Sequence, residues 1–413
     1  MESDEFPDHN DDAPTCTFLC EVPGIVDIDE RGDRVLHIGT NKCEIDNDGN
    51  HHHTEAMRFR VCSRALSRLS PVLGVLFFGP FLEANQDMVY LPEDDPKAMK
   101  ILLYIAHGQI DPVYEVADRY PGDEDSHRLL EDLYDIFVVA NKYLVTQPLR
   151  PWTSSWSSAL LPLTRPSSNI KDHCERLEKL LYISSEVGHF EMYNKAFLSL
   201  VSHHQNDREM FSTTLEPDGV KDRVFSVRLR LIEETLGALK ELIDPFLDDN
   251  VEASDYDCSA KGPMTQINCR LHTLAVILRH LKKKSLFPLP EPKDVIESAA
   301  SLHGRVTKGL WSGPTLHKDC AIRPQLSSAL SNAYTVTTSL YLPPAPLFET
   351  MSSRATYFGF SQPVEESEAG PNSEPNGLSQ DFNYTNEGWG GELSDFHHEA
   401  DPWGSASSAS WMN

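Results

Sequence analysis

Residues 57–84, "MRFRVCSRALSRLSPVLGVLFFGPFLEA", change period within a few positions. Met57, Phe59 and Val61 alternate with Arg58 and Arg60, the two-residue repeat of a strand with one buried face. From Ser63 the repeat becomes helical. Ser63 is placed to cap a first short helix, and Ser70-Pro71 sets a capping serine before a proline at the first helical position. Leu73, Leu76 and Phe77 then form a compact apolar stripe, which Gly79-Pro80 ends. A strand that runs straight into two short helices calls for a mixed α+β unit.

The flanking sequence supplies partners for that strand. Residues 33–39, "DRVLHIG", are a strand candidate, and residues 87–92, "DMVYLP", are a third short strand closed by proline. Asp95-Pro96 opens a helix with Met99, Leu102, Leu103 and Ala106 on one face. Residues 125–145 bring Leu129, Leu133, Ile136, Phe137 and Ala140 to one side of a longer helix. From Ile170 the chain reads as helical. Leu229, Ile232, Leu236, Leu239 and Ile243 recur at spacings of three and four, as do Leu271, Leu274, Leu278 and Leu281. Both runs are too short for a coiled coil and read as packed helices.

The ends have a different composition. Residues 1–24 are acidic, with no basic start or apolar core of a signal peptide, and read as disordered. After Arg354 there is no lysine or arginine, and Phe382, Tyr384, Trp389, Phe396, Trp403 and Trp411 are scattered among Glu, Asp, Ser, Gly and Asn. A stretch without a dense apolar stripe cannot offset its ordering entropy, so residues 346–413 read as a disordered acidic tail. The net charge of −27 argues against direct nucleic-acid binding or a generic attraction to anionic membrane. No apolar run reaches the ~20 residues that span a bilayer. Eight irregularly spaced cysteines fit a reducing compartment, and a cytoplasmic or nuclear location is expected.

Two patterns raise the question of metal. Glu44, Asp46, Asp48, Gly49 and Glu55 fall near the spacing of an EF-hand loop, with His51, His52 and His53 among them. An EF-hand needs a helix on each side, whereas this loop joins two strand-like segments; it reads as a polar hairpin connection. Cys269-x-x-His272 and His317-x-x-Cys320, with Cys258 as a substitute ligand, match a structural zinc site in outline. Against that, "NCRLHT" opens an apolar helix in which a cysteine serves equally well as core. No metal or other cofactor is assigned. No G-x-S-x-G elbow, Walker A loop or G-x-G-x-x-G fingerprint occurs, and no catalytic residues are assigned. "RHLKKKSLF" (279–287) reads as the basic end of a helix rather than a nuclear import signal.

The order strand, polar hairpin, strand, two short helices, strand, helix, helix resembles the BTB/POZ domain. "GDRVLHIG" resembles its opening strand with Asp33, and residues 59–84 resemble its signature through Phe59, Val61, Ser63, Leu66, Ser70, Pro71, Leu73 and Phe77. "VYLPEDDPKAMKILLYIAHGQ" and "LYDIFVVANKYLVTQPLRPW" are similar to stretches of filamentous-fungal members. The resemblance covers residues 26–156. It departs from the animal pattern at Val61-Cys62-Ser63, and the 41–56 loop is longer than usual. The expected organisation is α+β: a disordered acidic N-terminus (1–24), a BTB/POZ domain (25–156), an all-α region (157–345) and a disordered acidic tail (346–413). The resemblance implies a non-enzymatic protein-interaction adaptor whose partners are other proteins, including self-association through this domain. It implies one specialisation, a substrate receptor on a cullin-type ubiquitin ligase scaffold; the acidic aromatic tail itself offers another reading, a transcriptional co-regulator, beside the plainer one of a solvating tail with incidental aromatics.

Overall fold

A computed structural model describes residues 24–40, 42–45, 51–54, 56–118, 126–165, 170–206, 209–247, 263–307, 328, 330 and 343–362. These show a mixed α+β chain in which a small sheet is attached to a much larger set of helices. The strands are β1 (Ile25–Asp27), β2 (Arg34–Ile38), β3 (Lys42–Ile45), β4 (His51–Thr54), β5 (Met57–Val61) and β6 (Met88–Leu91). The helices are α1 (Ser63–Leu69), α2 (Pro71–Phe78), α3 (Pro96–Ala106), α4 (Asp111–Asp118), α5 (Ser126–Lys142), α6 (Arg150–Leu160), α7 (Ile170–Val187), α8 (Phe190–His203), α9 (Val220–Leu247), α10 (Pro263–Lys283), α11 (Ala299–Thr307) and α12 (Ala345–Phe358).

Four strands form a sheet in the order β1-β5-β2-β6. β2 and β5 are antiparallel, with Leu36 opposite Phe59, and β6 joins β2 in parallel, with Leu36 opposite Val89. That register sets Leu36, Ile38, Phe59, Val61 and Val89 on one face, where all are buried. Arg58 and Arg60 take the other face: Arg58 reaches His37 and Arg60 pairs with Asp27 of β1. The expected alternation in residues 57–61 is therefore present, while β1 is a strand that the sequence pattern does not announce. β3 and β4 form a separate antiparallel pair, Lys42 opposite Thr54 and Ile45 opposite His51. The polar connection is thus a hairpin with strands of its own.

The helix starts follow the sequence, with one correction. Ser70 caps α2 by accepting from the Leu73 N–H at 3.0 Å, and Asp95 caps α3 by accepting from the Ala98 N–H at 2.7 Å. Ser63 is not a cap. Cys62 holds the N-cap position and Ser63 is the first helical residue. Its N–H and hydroxyl donate to Asp33 at 2.8 and 2.6 Å, so a carboxylate thirty positions earlier performs the capping. His107 adds a second device, its Nε2 accepting from the Cys62 N–H at 2.9 Å.

Beyond residue 156 the helices build on α7, which packs against α5, α8 and α12. One continuous set of buried side chains runs from Ile28 beside the sheet to Phe358 in α12. α10 turns inward a face that overlaps the leucine run only in part: Cys269, Thr273, Ile277 and Leu281 are buried, Leu274 and Leu278 are half-buried, and Leu271 is exposed. The placement of the tail from residue 346 also needs correction. Residues 345–358 are helical, and Leu347, Met351, Ala355 and Phe358 form a buried stripe at helical spacing. That stripe runs across Arg354 and gives the segment up to Phe358 the apolar burial that a tail needs in order to pack. Residues 1–23 and 363–413 lie outside the described residues.

Candidate functional site

α2, the edge strand β6 and the end of α5 leave an apolar groove of about 790 Å³. α2 reads "PVLGVLFF", apolar on every side. Leu73 and Phe77 point into the core, which leaves Val72, Val75 and Phe78 facing outward. A short 3-10 turn at Leu82–Asn85 follows and carries Phe81 and Leu82 to the surface. Tyr90, Leu91 and Pro92 come from the edge strand β6, and Lys142, Tyr143 and Leu144 from the end of α5. Val75, Phe81 and Leu144 are 51%, 52% and 63% exposed, which makes this a contiguous apolar surface and not a scatter of single side chains.

Hydrogen bonds hold its walls. The Ser70 hydroxyl, besides capping α2, donates to the Tyr143 carbonyl at 2.7 Å and so ties the start of α2 to the end of α5. Asp94, 5% exposed, accepts from Lys142 Nζ at 2.7 Å and from the Tyr143 hydroxyl at 2.5 Å, fixing α5 to the turn after β6. Burial, followed by the hydrogen bond and charge of Asp94, pushes the Tyr143 hydroxyl pKa far above the usual phenol value. Leu144 sits in the left-handed region at φ 56°, just past α5, where glycine is the ordinary occupant. That backbone turns an apolar side chain outward at the rim.

Two polar groups of the groove are thus committed to holding it, while the Glu93 carboxylate stands exposed at its edge. The Lys142 ammonium and the Tyr143 hydroxyl both go to Asp94, and the remaining lining is largely hydrocarbon and aromatic edge. Such a surface presents area that would gain by leaving water, on a hydrogen-bonded frame.

The signature residues occupy the frame. Phe59, Val61, Leu66, Leu73 and Phe77 are buried in the core. Asp33 and Ser63 are bonded to each other; burial works to raise the Asp33 pKa, but the two Ser63 hydrogen bonds and nearby Arg34 bring it below the ordinary carboxylate value. Ser70 and Pro71 start α2, and only Pro71 of the nine lines the groove. Val72, Val75, Phe81, Tyr90 and Leu144, which form much of the groove's exposed surface, belong to no capping, metal or catalytic motif in the sequence. For Val72 and Val75 the signal is an α2 with no polar face, which cannot bury every side; Phe81, Tyr90 and Leu144 carry no such signal.

Of the metal patterns, Asp46, Asp48, Gly49 and Glu55 lie outside the described residues, as do Cys258, His317 and Cys320. Cys269 is buried on α10 and His272 is exposed on the same helix. Among the described residues no three metal-ligating side chains gather at one point, and no helix is long and apolar enough to cross a membrane. Comparison of the chain with protein-family models, curated proteins and solved structures finds no match.

Proposed function

We propose that this chain is a protein-interaction adaptor of BTB/POZ type, acting by binding and without catalysis, and that the groove between α2, β6 and the end of α5 receives its partner. The observation that carries this reading is the groove itself: exposed apolar side chains on a frame fixed by Ser70, Asp94 and Tyr143. The order of elements supports it, since strand, hairpin, strand, two short helices and strand follow one another as the resemblance implies. Of the receptor and co-regulator readings, a substrate receptor for a cullin-type ligase scaffold is favoured by this surface, because a rigid apolar face suits one constant partner. The co-regulator reading draws on the acidic tail.

Val75→Glu and Phe81→Glu test the proposal. Both side chains are exposed, so the thermal midpoint should stay near that of the parent. Full-length protein purified from native extract should bring down a defined partner, with cullin components among the candidates, and the double variant should lose it. Retention of the same partners by the folded double variant would sink the groove as the binding surface.

A further inference from the structure

The leucine run of α10 faces the core only in part: Leu281 is buried, Leu274 and Leu278 are half-buried, and Leu271 is exposed. Cys269, Thr273, Ile277 and Leu281 form the buried seam. Met264, Ile267 and Leu271 are exposed, Met264 and Leu271 at 68% and 58%, with Leu274 and Leu278 half-buried beside them. Their spacing of three, four, three and four is the repeat that meets a partner helix, sustained over about 20 Å at ~1.5 Å per residue. The end of α9 lies alongside, where Arg270 donates to the Pro245 carbonyl at 2.8 Å, and Leu247 just beyond is exposed as well.

Charge selects the occupant. α10, "PMTQINCRLHTLAVILRHLKK", contains no Asp or Glu, in a chain whose net charge is −27. Arg279, Lys282 and Lys283 are exposed around the last turns of the stripe, and among the described residues no carboxylate forms an ion pair with them. A second copy of the same helix does not answer this charge. In parallel it sets lysine against lysine, and antiparallel it sets the lysines against the uncharged start, Met264 to Gln266.

We infer that the outward face of α10 is a second docking surface, and that its occupant is an acidic amphipathic helix of another protein. Leucine or isoleucine at every third and fourth position of that helix covers Met264, Ile267, Leu271, Leu274 and Leu278. A glutamate flanking the stripe meets Lys282, and the acidic character of the partner answers Arg279 and Lys283 at longer range.

The probe is a fluorescein-labelled synthetic helix about three heptads long, with Leu at a and d and Glu at e and g, titrated with the full chain. A twin peptide carries Lys in place of Glu. The Glu peptide should bind at least about tenfold tighter than the Lys peptide, and binding should weaken between ~0.05 and ~0.5 M salt. Ile267→Ser/Leu271→Ser should abolish binding, and Arg279→Glu/Lys282→Glu should reverse the preference between the peptides. Both double variants change exposed side chains, and their circular dichroism melts are run alongside; the charge reversal keeps the test decisive if the serine variant unfolds. Val75→Glu, in the other groove, should leave this binding unchanged. Four results overturn the inference: equal binding of the two peptides; no binding of either, as when the chain's own residues cover the face; Leu271-dependent binding to phosphatidylcholine–phosphatidylserine vesicles without peptide binding; or a dimer in sedimentation that the serine variant dissociates.

Discussion

Leu144 shows how one residue can be fitted to a surface at a cost to the fold. Its left-handed backbone costs about 1 kcal/mol relative to glycine, and the side chain held in that conformation is exposed at the groove rim. Leu144→Gly should raise stability by about 1 kcal/mol in urea melts while weakening partner capture; a variant that loses stability places the side chain in the core instead. Asp135 of α5 carries a second local cost. Burial above all, then the charges of Asp95 and Glu131, raises its pKa from 3.8 to about 6, with Lys179 opposing. A raised pKa means that the folded state favours the neutral acid. The contribution is full below about pH 4 and is lost as pH rises through about 6. Asp135→Asn should therefore stabilise the protein by ~1–2 kcal/mol near pH 7.5, after discounting for solvent screening, and by almost nothing near pH 4. Equal effects at both pH values would remove titration as the cause. Neither residue stood out in the sequence, because a φ angle and a neighbouring carboxylate are properties of the fold. Ser70-Pro71 did stand out, because a cap is written in adjacent residues.

Elements were legible where the two faces of a helix or strand differ in polarity, and illegible where they do not. Residues 57–61 alternate cleanly, and the inward face follows. α2 is apolar all round, so its sequence contains the groove but does not say which side is outside. α7 errs in the opposite sense: "DHCERLEK" looks like a solvated face, yet Arg176, Glu178 and Lys179 are buried. Distant groups make this possible. Arg176 donates to the Arg165 carbonyl, Glu178 accepts from the Phe211 N–H and the Thr214 hydroxyl, and Lys179 pairs with Glu131. At its end, Glu186 pairs with Arg354 of α12 at 3.1 Å, and Arg354 also donates to the Ser185 carbonyl at 2.9 Å. Gly188, at φ +72°, lets α12 approach so closely that a Cβ there would meet the Ala355 nitrogen at 2.3 Å. Gly188→Ala should cost roughly 2–4 kcal/mol through that clash and the positive φ together. Arg354→Ala, which leaves the buried Glu186 without its cation, should cost about 2–3 kcal/mol. If both variants melt like the parent, α12 contributes nothing to the core.

At the scale of the whole molecule, the boundary at residue 156 marks where the resemblance ends, and packing continues past it. α5 has α3 on one side and α7 on the other. Across the second junction the Tyr134 ring meets Tyr182 edge-on at 5.5 Å, Asn141 donates to the Tyr182 hydroxyl at 3.0 Å, and Lys179 reaches back to Glu131. A fragment of residues 24–165 would keep the sheet, α1 to α6 and the groove, but would open that face of α5 to water. Residues 24–362 should therefore melt in one cooperative transition, and fragment 24–165 should melt at a clearly lower temperature, followed by circular dichroism. Leu66, 1% exposed behind β5, provides the control for the core they share. Leu66→Asp buries a carboxylate without a partner, at several kcal/mol against the ~5–15 kcal/mol of a domain, and should unfold the fragment and strongly destabilise the longer chain. Arg64→Ser, exposed on the same helix, should change either by ~0.5 kcal/mol or less. A fragment that melts at the same temperature as the longer chain would divide the core between α5 and α7 and make residues 24–165 an independent domain. A fragment that tolerates Leu66→Asp would instead remove Leu66 from the core, and with it the packing that sets α2 and its groove.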